Sequence, residues 1–411
     1  MAVIHPFKAV RPHEKVAHLV ASVPYDVVNK EEAAAQAKGN PLSLLRVTRS
    51  EIEMSPDVNV YSNEVYLKAK ENFERLRVEA PLIQDDVPNL YIYKLTMVTH
   101  SQVGIAATFS VDDYNNDVIK KHEKTRKVKE DDRTNHIITT GAQTGPVFLT
   151  YKGIEAVNKI VSDSMSKTSP IYDFTAADGI KHQIWVLNQD SLKTIVKEIA
   201  AVKNLYIADG HHRAASASRT QKAKKDQNPD HNGTEEYNFF LAVLFPAEQL
   251  RIMPYNRVVH DLKGMDTARF LDNVKSNFSV EPVESPDPPS TKSIVMYIDK
   301  KWYLLKPNQN VKHAQSVGDN LDVSILQNYL LHPVLGIEDP RTDNRIDFIG
   351  GIRGTEELVK LVDTGKAAVA FSMYPVSVDD LIRISDAGET MPPKSTWFEP
   401  KLRDGLLIHT I

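Results

Sequence analysis

The stretch Leu205-Tyr-Ile-Ala-Asp-Gly-His-His-Arg-Ala214 decides how this chain is read. Its opening apolar run reads as a buried strand. Gly210 then permits a sharp turn, and Ala214-Ala-Ser-Ala-Ser-Arg219 reads as the first turns of a helix. A carboxylate, two imidazoles and a guanidinium therefore gather at a strand-to-helix corner. The N–H groups at a helix start lack intrahelical partners and favour anions, so such a corner suits phosphate chemistry. The other reading makes Asp209 an N-cap and the histidines polar loop filler. Composition alone leaves both open.

The chain has 411 residues, enough for two or three domains. It has no cysteine, which excludes disulfides, thiolate catalysis and cysteine-based metal sites. A net charge of −4 argues against general nucleic-acid binding. The N-terminus lacks a basic stretch followed by an apolar one, and no apolar run approaches the roughly 20 residues of a membrane span. A cytoplasmic protein with no membrane and no nucleic-acid partner is expected. No solenoid repeat is visible.

Working outward, Glu64 to Val78 reads as an amphipathic helix. Arg11, Asp26 and Arg46 are either ion-pairing groups or substrate contacts. Pro81–Pro88 looks like a connector. Leu90–Val98 and Gln102–Ser110 read as a hairpin. Ile119-Lys-Lys-His-Glu-Lys-Thr-Arg-Lys127, with Glu130-Asp-Asp-Arg133, is a second constellation. Its cations would attract phosphates and keep Glu123 ionised, ready to accept a proton. A solvated helix face explains the same charges. Arg126 stands where a zinc-protease motif needs its second histidine. Helices are expected over 153–164 and 191–202, strands over 181–187 and 239–245, and a mobile loop over 224–233. Val280–Ser290 is the most proline-rich stretch, a loop or boundary.

Towards the C-terminus, Arg345–Gly350, Thr355–Val362, Ala367–Met373 and Val378–Ile384 alternate strand, helix, strand, helix, which suggests an α/β layer. Gly350-Gly-Ile-Arg-Gly354 is a turn rather than a phosphate loop, because Glu356 and Glu357 would repel the anion. Met391-Pro-Pro-Lys-Ser-Thr-Trp397 lacks the glycines of a P-loop. Lys394 and its two neighbouring hydroxyls can still clamp a phosphate.

Three motifs in this order resemble the free L-serine kinases of the ParB/sulfiredoxin-like superfamily: Lys121-His-Glu123, Asp209-Gly-His-His-Arg213 and Pro393-Lys-Ser-Thr396. The chain as a whole also resembles a bacterial family of about this size. Sulfiredoxins place a cysteine at the corresponding corner and this chain has none. The helix-turn-helix and basic face of ParB proteins are also missing. The resemblance implies an α+β fold: an N-terminal extension over 1–88, a ParB/sulfiredoxin-like catalytic domain over 89–250, and a C-terminal α/β domain over 251–411 carrying Lys-Ser-Thr.

It also implies a phosphotransferase that makes O-phospho-L-serine. ATP or ADP would be co-substrate, since archaeal members use ADP and bacterial relatives ATP, with Mg²⁺ as cofactor. Glu123 would be the base. Asp209 would hold Mg²⁺ or orient the hydroxyl, with His211 and His212 completing the catalytic group. Gly210, Arg213, Lys394, Ser395 and Thr396 would bind nucleotide phosphates, and the last three would act as a lid. His122 and Arg133 are candidates for holding the serine. Homodimerisation stays open. The competing readings are a ParB-like nucleotide-binding regulator and a kinase of another small alcohol.

Overall fold

Two apolar runs joined by a tight turn at Val98-Thr99 form a hairpin, and this hairpin becomes the middle of a sheet. The computed structural model describes residues 2–411. The chain divides into two compact units. One comprises the described residues up to Lys121, with Thr125–Leu250 and Pro400–Ile411. The other comprises His122–Lys124 and Arg251–Glu399.

In the first unit nine strands share one sheet: β1 (Ile4–His5), β2 (Tyr91–Met97), β3 (His100–Ser110), β4 (Ile119–Lys120), β5 (Val147–Tyr151), β6 (Tyr172–Thr175), β7 (Lys181–Val186), β8 (Leu205–Asp209) and β9 (Phe239–Pro246). Their order is β4-β8-β5-β9-β3-β2-β7-β6, with β1 pairing to β3. The pairs β4–β8 and β5–β9 are parallel, and β8–β5, β9–β3, β3–β2 and β2–β7 are antiparallel. This is the mixed α and β architecture expected from the sequence.

Five longer helices accompany the sheet: α1 (Asn63–Glu79), α2 (Lys127–Thr140), α3 (Glu155–Lys167), α4 (Gln189–Ala200) and α5 (His211–Gln227). Val157 and Val161 of α3 and Leu192, Ile195 and Ile199 of α4 join Ile92, Ile105, Ala107, Leu149, Ile207 and Leu244 in the main core. Residues of the β strands alternate in direction, so Tyr91 and Tyr93 face the other way. There Tyr91 meets Phe7, and the Tyr93 hydroxyl bonds His182 Nδ1 at 2.9 Å and accepts the Arg403 N–H at 3.3 Å. The residues after Pro400 thus close a face of the sheet. Ile408 is fully buried with Val10, Val20, Leu44, Phe73, Leu76 and Ala142.

The helix expected over 64–78 is present as α1. The charged run around Glu123 is not a helix face. It is the short strand β4, then an irregular stretch, then α2 from Lys127. The loop expected over 224–233 begins later, because α5 continues to Gln227. Two of the watched N-terminal groups form ion pairs: Arg11 with Asp85 at 2.8 Å, and Arg46 with Glu53.

The second unit holds a six-stranded sheet of β10 (Tyr255–Val259), β11 (Phe278–Val283), β12 (Ile294–Ile298), β13 (Lys301–Pro307), β14 (Ile346–Gly350) and β15 (Val369–Met373), in the order β11-β13-β12-β15-β10-β14. Helices α6 (Thr267–Val274), α7 (Gly354–Asp363) and α8 (Val378–Asp386) belong to it. The strand-helix-strand alternation exists, but every neighbouring pair is antiparallel. β14 and β15 run parallel to each other only because β10 is inserted between them. The proline-rich stretch begins inside β11, an edge strand, where a residue without an N–H is tolerated. Among the described residues, no helix is long and apolar enough to cross a membrane.

Ile408 tests the closing segment. Ile408→Ala is expected to lower stability by about 2–5 kcal/mol, read as a fall in melting temperature. Ile352→Ala, at a site 50% exposed, is expected to leave it nearly unchanged.

Candidate functional site

The corner in the first unit forms because the β8 run ends at Asp209 and Gly210 takes a left-handed turn, φ 92°, that other residues adopt at a cost. The helix α5 starts at once, so His211, His212 and Arg213 occupy its first turn rather than a loop. Asp209 Oδ1 accepts the Gly210 N–H at 2.8 Å, and Oδ2 meets Lys401 Nζ at 2.9 Å. Burial pushes the Asp209 carboxyl up, but the Lys401 ammonium and the Arg213 guanidinium outweigh it. The carboxyl is held far below the usual carboxylate range.

The side chains after Gly210 diverge. His211 is buried. His212 Nε2 accepts the Arg126 N–H at 3.1 Å, just ahead of α2. Arg213 donates to the Pro146 carbonyl, while its Nε is buried without a hydrogen-bond partner. Arg213 lines a cavity of about 40 Å³ with Tyr25, Arg133, His136, Thr144, Gly145 and Asp404. Arg133 donates to Asp132 at 3.0 Å and to the Thr48 carbonyl at 3.2 Å, and lies 4.2 Å over the Tyr25 ring. His136 at the same cavity is pushed down to about 4 by burial, then by Arg133, so it stays neutral. Asp404 is pushed up to about 7, first by burial and also by Asp26, against the pull of Arg213 and Arg133.

The second unit brings the other two motifs together. His122 Nε2 lies 3.4 Å from Thr396 Oγ1, a pair 274 residues apart in sequence. The Met391 N–H donates to the His122 carbonyl at 2.8 Å. Ser395 Oγ donates to the Pro392 carbonyl at 2.6 Å, closing the loop on itself. Lys394 sits at its apex with φ 58°, its carbonyl held by Arg257 and its Nζ 5.7 Å from the Tyr255 ring centre. Glu123, Lys124, Pro392 and Pro393 line one cleft of about 650 Å³, within the size range of small-molecule sites. Glu389, also in the cleft, accepts from Ser316 Oγ at 2.8 Å and from the Gly318 N–H at 2.9 Å, which hold its carboxyl below the usual range. The cleft carries Glu123, Asp319, Glu338, Asp339 and Glu389 against Lys124 and Arg341, so its field favours cations.

The predicted residues thus fall into two groups. Asp209, Gly210, His211, His212, Arg213 and Arg133 lie in the first unit. His122, Glu123, Lys394, Ser395 and Thr396 lie in the second. Among the described residues, no cluster of three or more histidine or acidic side chains could hold a metal ion.

A profile of the family described as "Protein of unknown function (DUF1015)" matches residues 4–324. The chain belongs to the DUF1015 family. A comparison with the curated proteins finds no match. Solved structures similar to this DUF1015 chain include a conserved hypothetical protein from Pyrococcus furiosus, at 14% identity, covering 74% of this chain and 94% of that one, TM-score 0.37. Another is a free serine kinase in complex with AMP, at 11% identity, covering 74% and 91%, TM-score 0.38. A third is SbnI with a C-terminal truncation from Staphylococcus aureus, at 12% identity, covering 73% and 85%, TM-score 0.39.

Sequence reasoning missed Lys401, Asp404 and Tyr25. A signal for the first two exists: Pro400-Lys-Leu-Arg-Asp-Gly-Leu-Leu-Ile408 sets three charges inside an apolar segment, which is what a buried, partnered charge looks like.

Asp404 also gives a pH test. Its folded value, about 7, lies above the roughly 3.9 of an unfolded aspartate. The folded chain therefore holds a proton that the unfolded chain has lost. That contribution is complete below about pH 4 and disappears as pH rises through 7. Asp404→Asn removes this loss. The melting temperature of the variant relative to wild type is expected to rise between pH 5 and pH 8; a pH-independent difference contradicts the assignment.

Proposed function

We propose that this DUF1015 chain is a small-molecule kinase that transfers a phosphoryl group from ATP or ADP to the hydroxyl of free L-serine. The observation that supports it is the junction in the second unit. There His122-Glu123 and the Met391–Thr396 loop meet through the His122–Thr396 and His122–Met391 bonds, with Glu123 on the adjoining acidic cleft.

In this reading the serine Oγ attacks the terminal phosphorus of the nucleotide. The new P–O bond forms as the bond to the leaving diphosphate, or monophosphate when ADP is donor, breaks. Glu123 takes the Oγ proton. A serine hydroxyl is a weak nucleophile, and a positioned base typically contributes about 10²–10⁴-fold. Lys394, with the hydroxyls of Ser395 and Thr396, offsets charge on the moving phosphoryl group. The first turn of α5, in the first unit, suits phosphate, with at most one of the diverging His211 and His212 side chains facing it. Asp209 fixes Lys401 and the corner.

Asp209 does not fit as a dedicated Mg²⁺ ligand, because the Lys401 ammonium already engages its Oδ2. An ion carried on the nucleotide's own phosphates, the usual habit of Mg²⁺, needs at most one or two protein carboxylates.

The test is direct. Protein, Mg²⁺, serine and either ATP or ADP are mixed and phosphoserine is sought by mass. Glu123→Gln is expected to lower turnover about 100- to 10,000-fold with nucleotide affinity retained. Near-normal turnover in that variant removes Glu123 from the role. Nucleotide binding with no phosphorylated product from serine or other small alcohols favours a regulatory nucleotide switch instead.

A further inference from the structure

The cavity in the first unit has a feature that ordinary packing does not explain. Arg213 and Asp404 both line it, and the Arg213 Nε and the Asp404 side chain are buried, yet they do not bond each other. Arg213 Nε and Asp404 Oδ1 each lack a hydrogen-bond partner, and Asp404 is only 2% exposed. Leaving buried polar groups unsatisfied is costly, and closing an Arg–Asp pair would relieve it. Both side chains are fastened elsewhere. Arg213 is tied to the Pro146 carbonyl. The Asp404 backbone pairs with Ser22 in both directions, at 3.1 and 2.9 Å. Its carboxyl packs so tightly on Gly145 that any side chain there would collide with it. A second guanidinium, Arg133, is held by Asp132, Thr48 and the Tyr25 ring. Two fixed cations and one fixed carboxyl thus surround a space they do not fill.

The geometry points to this cavity as the site of a small α-amino acid, with its carboxylate on Arg133 and Arg213 and its ammonium on Asp404. Its volume is equivalent to about three waters, the bulk of glycine, alanine or serine. Guanidinium groups suit a carboxylate because they offer paired donors in one plane. The rest of the wall mixes apolar Ile137, Val147 and Leu241 with Thr48, Gln143 and Thr144, which can take a small polar side chain. The identity of the amino acid as serine rests on the kinase reading; the cavity chemistry does not.

Binding is measured by calorimetry on the full chain without nucleotide, using L-serine, ethanolamine, which lacks the carboxylate, and L-lactate, which lacks the ammonium. Serine is expected to bind more tightly than either. Arg133→Lys removes the guanidinium that Asp132 and Thr48 hold at the cavity wall and is expected to weaken serine roughly 10- to 100-fold. Ala142→Leu fills the cavity without changing a charge and is expected to abolish binding. Circular dichroism checks that both variants fold, and nucleotide affinity by calorimetry is expected to stay constant in both. Unchanged serine affinity in folded Ala142→Leu overturns the site. So does phosphoserine formation with an unaltered serine KM in both variants. Serine that binds wild type and is lost in the variants, with no phosphoserine made, leaves the site standing and sinks the kinase reading alone. No binding of serine to wild type overturns the site whatever the kinase assay gives.

Discussion

The bond between Asp209 and Lys401 is the constraint on which the first unit turns. It joins residues 192 apart in sequence and fixes the end of β8 to the last stretch of the chain. A carboxylate at a strand end, half-buried and facing the start of α5, would be costly alone. With Lys401 and Arg213 beside it, the charge is stable, and the corner keeps one shape. The same stretch carries Arg403 to Asp178 and Asp404 to the cavity, so one short segment supplies three charged groups to the interior.

The second unit solves a related problem largely through backbone carbonyls. The Pro-Pro-Lys-Ser-Thr loop has few donors of its own, since two of its residues lack an N–H. It is held through the carbonyls of His122, Pro392 and Lys394 and through Tyr255. Lys394 accepts a left-handed backbone, a conformation that costs an ordinary residue something and is usual where a side chain must be aimed. His122–Lys124 join this unit outside any helix or strand, and the two hydrogen bonds of His122 help fix the neighbouring Glu123.

How much of this could be read beforehand depends on range. The β8–Gly210–α5 corner was legible because strand, turn and helix signals are local. The helix α1 and the alternating elements β14, α7, β15 and α8 were legible for the same reason. The antiparallel insertion of β10 between β14 and β15 was not, since strand order depends on partners far away in the chain. The charges around Glu123 were compatible with a helix face, and only tertiary contacts decide against it. Arg133 was a candidate on residue type alone. Its place in a cavity with Arg213 and Asp404 needed the fold, because those three come from distant segments. The pairings of Arg11 and Arg46 show the reverse case, in which watched charges have ordinary structural partners.

Threading residues 400–411 back into the first unit has a consequence for how the chain acquires its shape. Synthesis runs from the N-terminus, yet the unit made first lacks a face of its sheet, the ion partner of Asp209 and the side chain of Ile408 until the ribosome has finished the other unit. Until then its apolar surfaces stand open in a nascent chain, the condition under which aggregation competes with folding. Contacts closed over so many residues also form slowly. The half that is translated earliest is therefore the half that matures last.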